Sequence, residues 1–342
     1  MASGTADVDA IVVPAARTAR AVRPAIELAR ALDCPLVVLC SLLASPAAIE
    51  AEANARGVRV YAVSSPTVSR VPRQSTRALL AGQPFSRKTD TAAKRNFGLA
   101  LAWIAGWERV LFLDDDIEID DADDIRRAAC LLDTYQVVGL DNAGFADNSV
   151  VCHAHRDTGG RQGTFIGAGA MLFGGTRAPS SFFPHIFNED WFFLLDEERL
   201  ARCAVHGTFA QARFNPYAIQ DRAATQEFGD VLAEGLFALL DDGKPLHAAD
   251  AAFWRDFLGV RGRFIGSILR RLDQAPGLTT FQRFQIAQSL WAARGSLELI
   301  TPELCAAYMD AWRQDRLTWR TWIEGLPQGL GLAKALQELG AV

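Results

Sequence analysis

The stretch VLFLDDDIEID, Val110–Asp120, runs a short apolar segment directly into three consecutive aspartates. Neighbouring carboxylates repel one another, so a folded chain retains them where water, a helix end or a cation relieves the repulsion. Along a strand alternate side chains share a face. That alternation would bring Asp114 and Asp116 together and turn Asp115 away.

A solvated turn opening a helix at Ala122 is one reading, because acids favour a helix N-terminus. A calcium loop of the EF-hand type needs Gly at its sixth position and Glu at its twelfth. Counting from Asp114 gives Ile119 and Ile125, and counting from Asp116 gives Asp121 and Arg127, which excludes it. A haloacid-dehalogenase-like phosphatase would continue with Thr or Val where this chain has Glu118. A divalent-cation site for a nucleotide diphosphate remains: Mg²⁺ or Mn²⁺ binds through one or two carboxylates together with the substrate's own phosphate oxygens.

Outward from this stretch, the first half alternates short β-branched apolar runs with helical patterns. Strands are expected at Val8–Val13, Leu36–Leu42, Val58–Val63, Val110–Asp114 and Gln136–Leu140, with helices near Ala19–Leu32, Pro46–Ala55, Thr89–Gly106 and Ala122–Asp133. This is the pattern of an α/β fold, in which ligands gather at the C-terminal ends of the strands. Two segments depart from it. Ser64–Lys88 carries Pro66, Pro72 and Pro84 among Arg70, Arg73, Arg77, Arg87 and Lys88, and long loops of this kind are usually functional or mobile. Ser149–Phe173 alternates and contains GAGAML (Gly167–Leu172), which suggests further strands in a mixed region; it lacks the third glycine and the distal acid of a dinucleotide fingerprint. From Ala248 the pattern is helical and holds Trp254, Trp291, Trp312, Trp319 and Trp322, five of the eight tryptophans. Core packing or a subunit interface accounts for such aromatics, and a homo-oligomer through these helices is the corresponding expectation.

The 342 residues, half of them hydrophobic, suffice for a sizeable core, divided here into a catalytic domain over 1–245 and a helical subdomain over 246–342. A net charge of −5 offers no basic excess for tracking a nucleic-acid backbone, so no nucleic acid is expected as partner. The N-terminus lacks a signal-peptide pattern, and the most apolar stretch, Phe97–Leu113, is interrupted by Glu108 and Arg109. No membrane span and a cytoplasmic location follow as expectations. The six cysteines form no CxxC pair, which argues against a thiolate zinc site. No GxSxG, HExxH or P-loop motif is present.

The helix-to-strand stretch TDTAAKRNFGLALAWIAGWERVLFLDDD places Lys94, Arg95 and Asn96 in the first half of a helix that precedes the acidic strand end. Basic helix, apolar strand and DxD in this order resemble the GT-A-fold glycosyltransferases of the family 2 type. The resemblance covers roughly residues 8–240, and its strongest motif is Arg95-Asn96-x-Gly98 followed by Asp114-x-Asp116. It implies a GT-A mixed sheet flanked by helices, Mn²⁺ or Mg²⁺ as cofactor, and a nucleotide-diphosphate sugar as donor. Carried over by position, Asp114 would contact the ribose or donor sugar, Asp116 would hold the metal with Asp114, and Asp115 would aid the ribose. Lys94, Arg95 and Asn96 would serve the phosphate or base. The stretch VVPAART (Val12–Thr18) resembles that family's first loop, which assigns Pro14 and Arg17 to the nucleotide base. The family often has an acid after its second strand, whereas this chain reads Cys40-Ser41, which leaves the base open.

A second acidic cluster lies in FFPHIFNEDWFFLLDEERL (Phe182–Leu200), with Asn188, Glu189 and Asp190 at the expected start of an amphipathic helix. Asn is a favoured N-cap and acids suit a first turn. An ED motif at this point of the chain is similar to that of inverting family members, which assigns Asp190, or else Glu189, as the base that deprotonates the acceptor hydroxyl. Of the five histidines, His206 lies where some GT-A enzymes place a third metal ligand, and His153 and His155 would share a face of an expected strand. Glu227, Asp230 and Glu234 form an i, i+3, i+7 stripe, read as a solvated helix face or as contact with a hydroxyl-rich acceptor.

These readings converge on a metal-dependent glycosyltransferase that moves a sugar to an acceptor hydroxyl of a small molecule or glycan, inverting if Asp190 is the base. A nucleotidyltransferase of similar fold and a non-catalytic interaction protein are the alternatives. The first generally wants a Gly-rich phosphate loop after the first strand, which PAARTAR does not offer.

Overall fold

The computed structural model describes residues 4–64, 71–144, 149–161, 166–175, 181–196 and 199–341. Pro66 and Arg70 of the long basic segment lie outside the described residues. Strands β1 (Ala10–Ala15), β2 (Leu36–Cys40), β3 (Val60–Ser64) and β4 (Val110–Leu113) are mutually parallel. They continue into β5 (Ile117–Glu118), β6 (Val137–Asn142), β7 (Ala170–Phe173) and β8 (Cys203–Gln211), giving the order β3-β2-β1-β4-β7-β6-β8-β5. β7 runs antiparallel to both β4 and β6, so the sheet is mixed. The helices are α1 (Arg23–Leu32), α2 (Pro46–Asn54), α3 (Ser75–Leu79), α4 (Thr91–Ala105), α5 (Ala122–Leu131), α6 (Val150–Asp157), α7 (Glu189–Phe193), α8 (Asp221–Asp241), α9 (Ala251–Leu272), α10 (Thr280–Leu297), α11 (Pro302–Glu324) and α12 (Leu332–Glu338). The α/β architecture expected from the sequence, a mixed sheet flanked by helices and followed by a helical C-terminal region, is the one the chain adopts. No described helix is long and apolar enough to cross a membrane.

Every residue of β1 is buried, as a strand covered on both faces requires. Its alternation sorts the core: Ala10 and Val12 pack with α4, α8 and the C-terminal helices, while Ile11, Val13 and Ala15 pack with α1, α2 and α5. α4 carries small and apolar residues around its whole circumference because it lies between sheet and C-terminal helices, and Gly106 in the left-handed region (φ 80°) ends it. Gly98 of the RNxG motif is a close-approach residue. A Cβ there would sit 2.7 Å from the Phe112 ring, which stacks on Phe173 at 4.7 Å.

The C-terminal helices join the same core as α4 and the sheet. Asp250 caps α9, a reciprocal Thr279–Gln282 capping box opens α10, and Thr301 with Pro302 opens α11. The Asp315 carboxylate of α11 accepts from the backbone N–H groups of Ser75 and Thr76, which anchors α3 inside the long basic segment. Of the tryptophans singled out there, Trp254, Trp312 and Trp319 are buried, while Trp291 is 54% exposed.

Two expectations are corrected. Residues 150–157 form a helix rather than a strand, because Ser149 caps the N–H of Cys152 and Val150, Val151 and Ala154 face the core at helical spacing; only Ala170–Phe173 of the expected strands forms. His153 and His155 therefore do not share a strand face. The Glu227–Asp230–Glu234 stripe is not solvated either: Glu227 and Asp230 are buried against Arg261 of α9. Replacing Gly98 by Ala should overpack the α4–β4 contact and lower stability by roughly 1–3 kcal/mol. A urea midpoint that falls with an unchanged slope would show it.

Candidate active site

The acidic strand end lies at the C-terminal edge of the sheet, where β1, β2 and β4 stop together. β4 ends at Leu113, so Asp115 and Asp116 occupy a turn and the strand alternation stops before them. Their roles separate accordingly. Asp115 is buried and its carboxylate accepts from the N–H groups of Ala16 (2.8 Å) and Arg17 (2.9 Å) and from the Arg17 guanidinium. It thereby folds the loop after β1, and its acceptor positions are used by that loop. Asp116 meets the same guanidinium at 3.0 Å, and Arg17 itself is half exposed. The Asp114 carboxylate receives its contacts from Arg95 Nη2, at 2.9 and 3.0 Å.

Arg95 links the two acidic clusters. Buried on α4, it donates to Asp114 on one side and to Glu189 (2.9 Å) on the other, and Glu189 also pairs with Arg87 at 3.3 Å. Burial opposes its charge, but Asp114, Glu189 and Asp190 outweigh that effect and raise its pKa. Asp114 is shifted up by burial, against the pull of Arg95, with Asp116 and Asp115 adding to the shift. Asp190 is pushed up to about 6, first by burial and then by the Glu189 carboxylate, while Arg95 and the N–H groups of Ala168 (3.1 Å) and Trp191 (3.0 Å) act in the opposite sense.

A cleft of about 280 Å³ opens onto Asp114, Arg95, Glu189 and Asp190, and Asp141, Gln211, Asp230 and Glu234 also line it. Asp141, Gln211 and Arg87 belong to this lining without having been assigned a role from the sequence. Only strand pairing brings the first two in: Gln211 of β8 stands opposite Ile117, one residue after Asp116.

Other expected site residues take structural positions. Pro14 lies inside β1, two residues beyond the last pair with β4 (Val12 with Phe112), where a missing donor is tolerated. Lys94 is buried and ties the ends of β1 and β2, donating to the Ala15 carbonyl (2.7 Å) and the Ser41 hydroxyl (2.6 Å), with Asp90 at 3.1 Å. Ser41 thus holds the lysine at the place where the family often has an acid. Asn96 exchanges two hydrogen bonds of 2.8 Å with the backbone of Phe183, so its amide is consumed in fixing the segment before α7. Asn188 opens α7 without a side-chain cap. It adopts the left-handed region (φ 61°), and α7 is one short helix rather than an amphipathic one.

His206, expected as a third metal ligand, sits at an irregularity of β8. Between the pairs Gly139–Val205 and Asp141–Thr208, β8 holds one residue more than β6, and His206 and Gly207 (φ 80°) lie in that bulge. His206 stands beside Asp124 of α5, Nε2 3.9 Å from a carboxylate oxygen, and it does not line the cleft.

The donor set fits a hard divalent cation. Asp114, Asp115, Asp116, Glu189 and Asp190 are five carboxylates facing the three guanidinium groups of Arg17, Arg87 and Arg95, which leaves the rim short of positive charge. Among the described residues no three His, Cys, Asp or Glu side chains converge as a complete metal cage. A cation held by Asp114 and Asp116 would take its remaining oxygens from phosphate and water, as Mg²⁺ and Mn²⁺ commonly do.

No protein-family model matches the chain, and no curated protein matches it. Among solved structures it is similar to a mannosyltransferase from Pyrobaculum calidifontis in complex with GDP-Man and Mn²⁺, at 14% identity over 90% of this chain and 86% of that one, with a TM-score of 0.44. It is also similar to glucosyl-3-phosphoglycerate synthase from Mycobacterium tuberculosis, at 16% identity over 70% of this chain and 82% of that one, with a TM-score of 0.43. A mycobacterial protein gives 15% identity over 70% and 76%, with a TM-score of 0.44.

Removing the Asp115 carboxylate with Asp115→Ala should leave the Ala16 and Arg17 N–H groups without acceptors, a loss of about 1–3 kcal/mol. Chemical denaturation measures it, and an unchanged midpoint would show that the loop after β1 is held by something else.

Proposed function

We propose that the chain is a metal-dependent glycosyltransferase of the GT-A type, which transfers a sugar from a nucleotide diphosphate to an acceptor hydroxyl. The observation that carries this reading is that Asp114, two residues before Asp116 in the acidic turn, lines one cleft at the C-terminal edge of the sheet together with a carboxylate of raised pKa (Asp190), the two being joined by Arg95 and Glu189.

Asp116 and Asp114 would hold Mn²⁺ or Mg²⁺, whose chemistry there is to neutralise the charge that develops on the departing diphosphate. Arg17, half exposed beside Asp116, is placed to reach an anionic donor once a cation takes over its carboxylate partners. Arg95 supports Asp114 from behind and fixes Glu189, so it serves the geometry of both clusters. Glu189 is buried between two guanidinium groups, with one carboxylate oxygen paired to each. Asp190 is partly exposed to the cleft and lies closer to neutral pH than an ordinary aspartate, which suits a general base. It takes the proton from the acceptor hydroxyl as that oxygen attacks the anomeric carbon, and the configuration inverts.

Screening UDP, GDP and their sugars by calorimetry with and without Mn²⁺ tests the donor half. Binding of at least one should require the metal, and Asp116→Ala should abolish it; retained affinity in that variant would overturn the assignment of the cation site. For the base, Asp190→Asn should leave donor affinity within about two-fold and lower turnover by roughly 10²–10⁴. The base must be ionised to act, so kcat/KM should fall tenfold per pH unit below about 6 and level off above it. A profile flat through that region would remove Asp190 from the role.

A further inference from the structure

The turn that precedes Asp190 is held by contacts from α8, which α9 fixes in turn. Asn188, two residues before Asp190, is one of three non-glycine residues with positive φ among those described (φ 61°), a conformation that Asn tolerates better than most. Its side chain does not cap α7. Nδ2 instead donates to Asp230 Oδ1 at 2.9 Å, and Asp230 is buried on α8. The neighbouring residue of α8 grips the neighbouring residue of the turn: Gly229 lies so close to Phe187 that a Cβ there would fall 2.2 Å from the Phe187 carbonyl oxygen. Two successive residues of α8 thus hold two successive residues of the turn that starts the base helix.

Asp230 is fixed in its turn by Arg261 of α9, whose side chain has no exposed surface. Its Nη2 donates to Asp230 (2.7 Å) and Glu227 (2.9 Å), its Nε to Glu227 (2.7 Å) and its Nη1 to both Glu234 oxygens (2.8 and 2.7 Å). A rigid guanidinium fork of this kind locks three carboxylates where an ammonium would not. Placing one arginine among three acids leaves the cluster short of positive charge, and burial, against the pull of Arg261, pushes Glu227 up to about 7. Stability alone is a weak account of such a site, because a buried charge network is seldom more stabilising than apolar packing.

We propose that Arg261 and Asp230 are positioning residues, which hold Asn188 in its left-handed turn and thereby set the Asp190 carboxylate in the cleft. This rests on Asp190 being the base. The C-terminal helical region then takes part in the reaction through one hydrogen-bonded line, Arg261 to Asp230 to Asn188, without touching a substrate.

The deciding variant is Asn188→Gly, which keeps the backbone conformation accessible and deletes the link to Asp230. Turnover is read as nucleotide release from UDP-glucose or GDP-mannose in Mn²⁺, whichever the protein binds, and Arg261→Lys and Asp190→Asn are measured beside it. Expected is a fall in kcat of roughly 10–100-fold for Asn188→Gly and Arg261→Lys, with donor KM unchanged and the folded state intact by circular dichroism. A wild-type kcat in a folded Asn188→Gly protein overturns the positioning role even if Arg261→Lys unfolds. A wild-type kcat in Asp190→Asn instead overturns the base assignment, and the positioning role falls with it.

Discussion

The buried Arg95 guanidinium is the interaction on which the rest of this site depends. A charge removed from water at the centre of α4 must be met by opposite charge nearby, and Asp114 and Glu189 supply it from two distant parts of the chain. Because the guanidinium is planar and branched, satisfying it fixes the angle between its partners as well as their distance. The end of β4 and the start of α7 are thereby held in one frame, with Asp190 one residue beyond the clamp.

Around that frame the chain spends several other polar residues on geometry. Lys94 ties β1 to β2, Asn96 ties α4 to the segment before α7, and Asp115 folds the loop after β1. Each is a group whose exposure to a ligand would have been an equally natural use. Burial decides otherwise, since a polar side chain inside the protein must hydrogen-bond to the fold around it. Asp114 and Asp190 keep a face on the cleft, and the proposed chemistry falls to them and to Asp116. Arg261 repeats the logic of Arg95 with Glu227, Asp230 and Glu234, and two of these acids, Asp230 and Glu234, line the same cleft as Arg95.

Much of the frame could be read along the chain. The β-branched runs with glycine and helical patterns between them specify a parallel core, because period and propensity are local properties. The abrupt DDD after an apolar strand and the ED pair within a phenylalanine-rich segment marked both acidic clusters for the same reason. Expected and observed strand ends differ by at most two residues, and the run from Ser149 forms a helix because an apolar alternation with a serine before it also describes a capped helix. Arg261 carries a readable sign: it sits in register with Trp254, Ile265, Ile268 and Leu272 on the apolar stripe of α9, and a charge on such a stripe demands a buried partner.

Residue order and chemistry therefore settled the parallel strands with the helices between them and which acids deserve scrutiny. They did not settle which polar groups are consumed by the fold and which face the cleft. His206 illustrates the difference, since one extra residue in β8 puts it beside α5 and leaves Gln211 next to the aspartates. So does the acidic stripe of α8, which looks solvated until α9 lays an arginine across it. Spacing along a chain sets which face of its own element a side chain occupies, but contact depends on where a second element, far away in sequence, comes to pack.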